Sequence, residues 1–269
     1  MAKPPFNKPL KRSVTGRIDD ISQPRGGYLN IKSFKHEQLG SGIEALDSNA
    51  QGNLGLIGSA VDYLTRVVMG TDVKEAFKVS LAGAEIVDEY QDALALLENV
   101  KGIDAKSITC AYKLAGYDVA CRVGKFAYYC PVSDIVVDDA TISNIAEMVK
   151  RSVAFFDKVG SKVLDGFTFE DAYTDFIAAG DGDYLTADTL WDFKTSKNEP
   201  KKEDTLQLLV YWQMGLRSVH SEFQQITRLG IFNPRLNIMY TIETDLIEQS
   251  VIDEVCHDVI GYGLEPLEE

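Results

Sequence analysis

The sequence predicts an α/β fold: a central mixed β-sheet flanked by helices, with a large helical region on its N-terminal side. Between Asn53 and Gly160 apolar residues recur at the three-to-four spacing of amphipathic helices. After Gly160 the period changes to short β-branched and aromatic runs broken by Gly and Asp. The order that results is helices, three strands, a helix, two strands and a helix, which suits a sheet covered on both faces.

Each element has its own signal. LGLIGSAVDYLTRVVMG places Ile57, Val61, Leu64 and Val68 along one helical face. Thr71 and Asp72 offer caps for a second helix running towards Asn99. Ile108 to Val119 reads as a third helix. Thr141 to Val159 reads as a fourth, with Ile142, Ile145, Met148, Val149, Val153 and Phe156 on one side. FTFEDAYTDFIAAG, DYLT and TLWDFKT are the three strands. Thr205 to Val219 returns to helical spacing, FQQITRLGIF and LNIMYTI form two strands around Asn233-Pro234-Arg235, and Asp245 to Ile260 is the last helix. The expected organisation is a lead-in over 1–52, a helical region over 53–160 and a core sheet with flanking helices over 161–269. The last two are expected to form one compact domain.

Composition excludes several classes. At 269 residues, with 45% hydrophobic and 25% charged, the chain suits a globular protein. No apolar run approaches a bilayer-spanning length, and MAKPPFNKPLKRSVTGR lacks the apolar core of an export signal, so no membrane association and a cytoplasmic location are expected. Cys110, Cys121, Cys130 and Cys256 contain no C-x-x-C pair and read as reduced thiols, and His36, His220 and His257 lack zinc-hydrolase spacing. There is no G-x-x-x-x-G-K-[ST] and no serine nucleophile elbow, so a helicase or recombination partner would be a separate chain. The net charge of −14 counts against a general nucleic-acid binder. The charge is uneven, however: Lys194, Lys197, Lys201 and Lys202 are clustered and Arg217, Arg228 and Arg235 follow, which would allow a local basic strip.

The chemistry lies in GDGDYLTADTLWDFKTS. A two-residue turn at Ala187-Asp188 sets Asp183 opposite Asp192, with Cβ atoms roughly 5 Å apart. Lys194, two residues on, shares that face. Two carboxylates held together repel unless neutralised, and their oxygens suit Mg²⁺ or Mn²⁺. A D/E-x-K triplet alone is uninformative, since it also occurs at Asp72-Lys74, Asp104-Lys106 and Glu199-Lys201. The setting separates this one: Leu190, Trp191 and Phe193 make the strand apolar on both faces, so its charges sit in an interior strand and need a reason.

Gly182-Asp183, Asp192-Phe193-Lys194-Thr195 and Gln207-Leu208-Leu209-Val210-Tyr211 resemble the G-x-x-D, D-Y-K-T and Q-x-x-x-Y motifs of RecB-like nucleases of the PD-(D/E)XK superfamily. Gly58-Ser59-Ala60-Val61-Asp62 resembles the upstream G-x-x-x-H, with Asp62 where histidine is frequent, and Glu147 is the alternative ligand. YLNIKSF is similar to the family's N-terminal segment. The resemblance implies a restriction-endonuclease-like core and DNA phosphodiester hydrolysis, in exonuclease mode, on single-stranded or duplex ends. It implies Mg²⁺ or Mn²⁺ on Asp183, Asp192, the Phe193 carbonyl and Asp62, with Lys194 orienting the attacking water. Gln207 and Tyr211 would position the site, and Thr195 with the lysines from Lys197 to Lys202 would grip the adjacent phosphate. No iron–sulfur cluster is expected, because only Cys256 follows the motifs. Gly16-Arg17-Ile18-Asp19 with Asn30-Ile31-Lys32 mimics the motif pair but has Asn for the second acid. The acidic charge motivates two other expectations: a non-catalytic auxiliary subunit of a nucleic-acid-processing complex, or a nuclease for short or single-stranded substrates.

Overall fold

A computed structural model describes residues 12–40, 46–123 and 129–264. β1 (Arg12–Ser13) leads into α1 (Val14–Asp19), and a 3-10 turn over Ile31–Ser33 precedes β2 (Lys35–Gln38). The helical region holds α2 (Leu54–Val68), α3 (Val73–Ala76), α4 (Lys78–Ile86), α5 (Tyr90–Leu97), α6 (Ala105–Leu114), α7 (Asp118–Val123) and α8 (Asp139–Val159). Next come β3 (Leu164–Phe167), β4 (Ile177–Ala179), β5 (Gly182–Leu185), β6 (Thr189–Phe193) and α9 (Lys202–Gly215). β7 (Arg228–Asn233), β8 (Ile238–Glu243) and α10 (Gln249–Glu254) complete the chain, with a π-helical turn over Val255–Ile260.

A six-stranded mixed sheet runs in the order β2-β8-β7-β6-β5-β3. Only β6 and β7 are parallel; every other neighbouring pair is antiparallel. Parallel neighbours need a crossover, and α9 supplies it by packing on β6 and β7. Alternation along the strands sorts the side chains. Leu185, Leu190 and Ile231 join the core beneath α9, whereas Tyr184, Trp191 and Phe232 pack against Phe155 and Phe156 of α8. The central helix α9 is buried from Thr205 to Gly215, because α1 and the π-helical turn cover the side away from the sheet. The helical region keeps its own core around Ile57, Leu64, Ile108 and Met148, and α2 packs on α8.

The structure departs from several expectations. The helix expected from Asp72 towards Asn99 is three pieces, interrupted at buried Phe77 and at Asp88, whose φ is +59°. The helix expected over Ile108–Val119 is broken by a 3-10 turn at Ala115–Tyr117. There Gly83 of α4 approaches so closely that a Cβ would lie 2.0 Å from the Tyr117 carbonyl oxygen. FTFEDAYTDFIAAG is not one strand: it contributes parts of β3 and β4, and β4 pairs with β1 outside the main sheet. Residues 12–40, expected within a lead-in, instead supply β2 to the sheet edge and bury Val14, Ile18, Leu29 and Phe34. The start of that lead-in, residues 1–11, lies outside the described residues. Among the described residues no helix is long and apolar enough to cross a membrane.

Gly230 of β7 shows how tightly the sheet is packed around Trp191. A Cβ at this position would lie 2.3 Å from Trp191 Cε3. Gly230→Ala is expected to destabilise the protein by about 1–3 kcal/mol through overpacking, read as a lower urea midpoint. An unchanged midpoint would contradict the packing described.

Candidate functional site

The β5–β6 hairpin closes as the sequence requires. Thr186 N–H donates to the Thr189 carbonyl (3.0 Å), and Tyr184 opposes Trp191 while Leu185 opposes Leu190. The same register sets Asp183 against Asp192 on the α9 side of the sheet. β6 is an interior strand, and Asp192 is only 2% exposed.

Five further contacts fix the pair and its lysine. Phe193 N–H donates to Asp183 Oδ2 at 2.6 Å. Lys194 Nζ lies 2.8 Å from the buried Asp192 Oδ2 as a close ion pair. The same ammonium donates to Gln207 Oε1 (2.9 Å), and Gln207 Nε2 donates to the Tyr211 hydroxyl (2.8 Å). The i, i+4 spacing on α9 thus makes Gln207 and Tyr211 a chain that anchors the lysine. Asp204, also on α9, adds a carboxylate 3.9 Å from Lys194 Nζ.

Burial dominates the electrostatics. It pushes the Asp183 carboxyl up to about 6, with Asp192 adding to the rise and Lys194 opposing it. Asp192 is also raised, by burial first, against the opposing pull of Lys194. For Lys194 burial acts to lower the pKa, but Asp192, Asp204 and Asp183 together outweigh it, so the side chain remains an ammonium.

Asp62 reaches the same cleft from α2, but its carboxylate is already engaged. Arg66 Nε donates to Oδ1 (3.1 Å) and Nη2 to Oδ2 (2.5 Å), while the Tyr184 hydroxyl donates to Oδ1 (2.9 Å). Burial raises Asp62 to about 6 against the pull of Arg66. Among the described residues no three acidic, histidine or cysteine side chains converge closely enough to share an ion.

The cleft has a volume of about 560 Å³, and Asp62, Asp183, Asp192, Phe193, Lys194, Thr195, Gln207 and Tyr211 all line it. Its cations are Arg66, Lys78, Arg122 and Lys194. The expected basic strip is not assembled there. Lys197, Lys201 and Lys202 are exposed and lie outside the cleft lining. Arg228 pairs with Glu243 and Asp188 at the turn end of the hairpin, and Arg217 lies over the Tyr262 ring. Arg235 comes nearer, donating to the Thr195 carbonyl (2.7 Å). Glu147 pairs with Arg151 and does not line the cleft. Gly16–Asp19, the mimic of the motif, is helical and apart from these acids. Arg66, Tyr184, Asp204 and Arg122 were not singled out from sequence, although the Asp62–Arg66 spacing is that of a helical ion pair. No family model, curated protein or solved structure matches the chain.

The raised carboxyl of Asp183 has a consequence for stability. An acid with a folded pKa near 6 binds its proton more tightly than the unfolded chain, so its contribution is fully present below about pH 4 and is lost as pH rises through 6. Asp183→Asn keeps an acceptor for Phe193 N–H and removes the buried charge. In metal-free buffer at pH 7.5 it is expected to stabilise the protein by about 1–3 kcal/mol, a gain that fades towards pH 4. Thermal melts across that range check the sign; a loss of stability at pH 7.5 would contradict it.

Proposed function

We propose that the chain is a divalent-metal-dependent nuclease that hydrolyses DNA phosphodiester bonds as an exonuclease, built on a restriction-endonuclease-like core. One observation carries the reading: two opposed carboxylates, Asp183 half-buried and Asp192 fully buried, share the single ammonium of Lys194, which lies 2.8 Å from Asp192 Oδ2. Asp62 is offset by Arg66, and Arg122 lies 3.3 Å from Asp181, which leaves the Asp183–Asp192 pair one positive charge short. An all-oxygen donor set of this kind fits Mg²⁺ or Mn²⁺. Asp183, Asp192 and the Phe193 carbonyl would hold the ion, which when bound supplies Lewis acidity and a more acidic water.

The protein's own groups have definite tasks in this reading. Lys194, kept charged by its acidic neighbours, hydrogen-bonds the attacking water and stabilises negative charge on the phosphoryl oxygens; it is not a general base. Gln207 fixes the ammonium and Tyr211 fixes Gln207, so both act through position. Thr195 at the rim contacts the neighbouring phosphate. Arg66, Lys78 and Arg122 also line the cleft, each paired with an acid (Asp62, Glu75 and Asp181), and would offer guanidinium and ammonium donors to a phosphate.

Purified protein with Mn²⁺ or Mg²⁺ and end-labelled single-stranded and duplex DNA tests this. Asp192→Ala or Lys194→Ala is expected to lower cleavage by about 100-fold or more at a temperature below the melting point of each variant, with Lys194→Ala also less stable because the paired carboxylates lose their ammonium. Gln207→Ala should fall by roughly tenfold. If Lys194→Ala cleaves as fast as the wild type, the reading fails. The acidic charge favours a second reading, an auxiliary subunit without cleavage. Failure of the wild type to bind Mn²⁺ in calorimetry would support it.

A further inference from the structure

The side chain of Arg66 is built into the cleft more firmly than a surface ion pair requires. It is 8% exposed and grips both oxygens of Asp62. Its guanidinium carbon lies 5.7 Å from the centre of the Tyr63 ring and 5.9 Å from that of Tyr184. Gly166 makes the space: its φ is +55°, and a Cβ there would lie 2.1 Å from Arg66 Nη1. The planar fork matches a carboxylate in a way that a point charge does not. Tyr184 takes the remaining approach to Asp62 Oδ1.

We infer that Arg66 is a fixed cation standing where a metal ion would otherwise meet Asp62, so that the cleft holds one divalent ion, on Asp183 and Asp192, and Asp62 is not a ligand. This rests on the metal-binding reading above. The donors set the carboxylates apart. Asp62 has both oxygens committed to a guanidinium and a phenol, whereas Asp183 and Asp192 each meet a protein donor at one oxygen, Oδ2. Tyr184 points to the α8 face, opposite to its neighbour Asp183, so its hydroxyl reaches Asp62 from that side although Asp62 lines the same cleft as the paired carboxylates. Arg66 is thus a positioning residue: it keeps Asp62 off the metal and places a permanent positive charge in the cleft. Unlike an ion, that charge does not depend on metal concentration.

Calorimetric titration with Mn²⁺ alone, without DNA, reads the stoichiometry directly. The wild type is expected to bind one Mn²⁺ per chain. Asp62→Asn should keep that single site with its dissociation constant changed by less than about tenfold, as for a residue outside the ligand set. Asp183→Asn should weaken it by about 100-fold or more, as for a ligand. Arg66→Met, which frees the Asp62 carboxylate, should gain a second Mn²⁺. Because single variants leave one charge of a buried pair alone, the double variant Asp62→Asn/Arg66→Met serves as the folded control and should bind one Mn²⁺ like the wild type. Two Mn²⁺ on the wild type, with one lost in Asp62→Asn, would overturn the inference and leave the metal-binding reading intact. No Mn²⁺ on the wild type would remove both.

Discussion

Two like charges fixed on adjacent strands inside a sheet form the constraint on which the rest of this structure depends. Asp183 and Asp192 cannot move apart, because the hairpin register is locked by the side chains that lie between them in the chain. Tyr184 and Trp191 fill the α8 side, and Leu185 and Leu190 fill the α9 side. A one-residue slip would send each set to the wrong face. The carboxylates are therefore held in a place where burial opposes their ionisation, and the surrounding groups answer that cost. Phe193 N–H serves one, Lys194 the other, and α9 supplies the Gln207–Tyr211 chain that keeps the lysine in place. The crossover helix that the parallel pair of strands demands is thus also the element that organises the ammonium.

The helical region closes the other side of the cleft and uses a different solution for the same problem. Asp62 is neutralised within its own helix by Arg66, four residues on, and the pair is shielded by Tyr63, Tyr184 and the backbone of Gly166. One carboxylate is closed by a permanent partner, and two are left sharing one. Burying charge without full compensation costs stability, and such sites persist where function requires them.

Much of the site was legible in the chain because strand and helix periods are local rules. A two-residue turn and a period of two are enough to oppose Asp183 with Asp192 and to put Lys194 on their face; a period of 3.6 is enough to align Gln207 with Tyr211. Position in the sheet was legible too, since a strand apolar on both faces has to be interior, as β6 is. β2 was not legible: Lys35, His36, Glu37 and Gln38 are all exposed, and without one buried face there is no alternation to detect. The breaks in the long helices were hidden for a similar reason, because they answer to close approaches such as Gly83 on Tyr117 rather than to any local stop signal.

The sequence by itself determined the mixed α/β class, the hairpin register and the helix face carrying Gln207 and Tyr211, because each follows from residues near one another in the chain. Only the tertiary structure decided what Asp62 does and where the cleft's positive charge comes from. Arg66 lies one helical turn from Asp62, yet its role depends on Gly166 and Tyr184, a hundred or more residues further along the chain, which add a cradle and a second donor. Lys78 and Arg122 enter the cleft from separate elements, while the lysines beside the motif point elsewhere. A carboxylate becomes a ligand or a structural anion according to the groups that surround it in space, and spacing along the chain does not encode those.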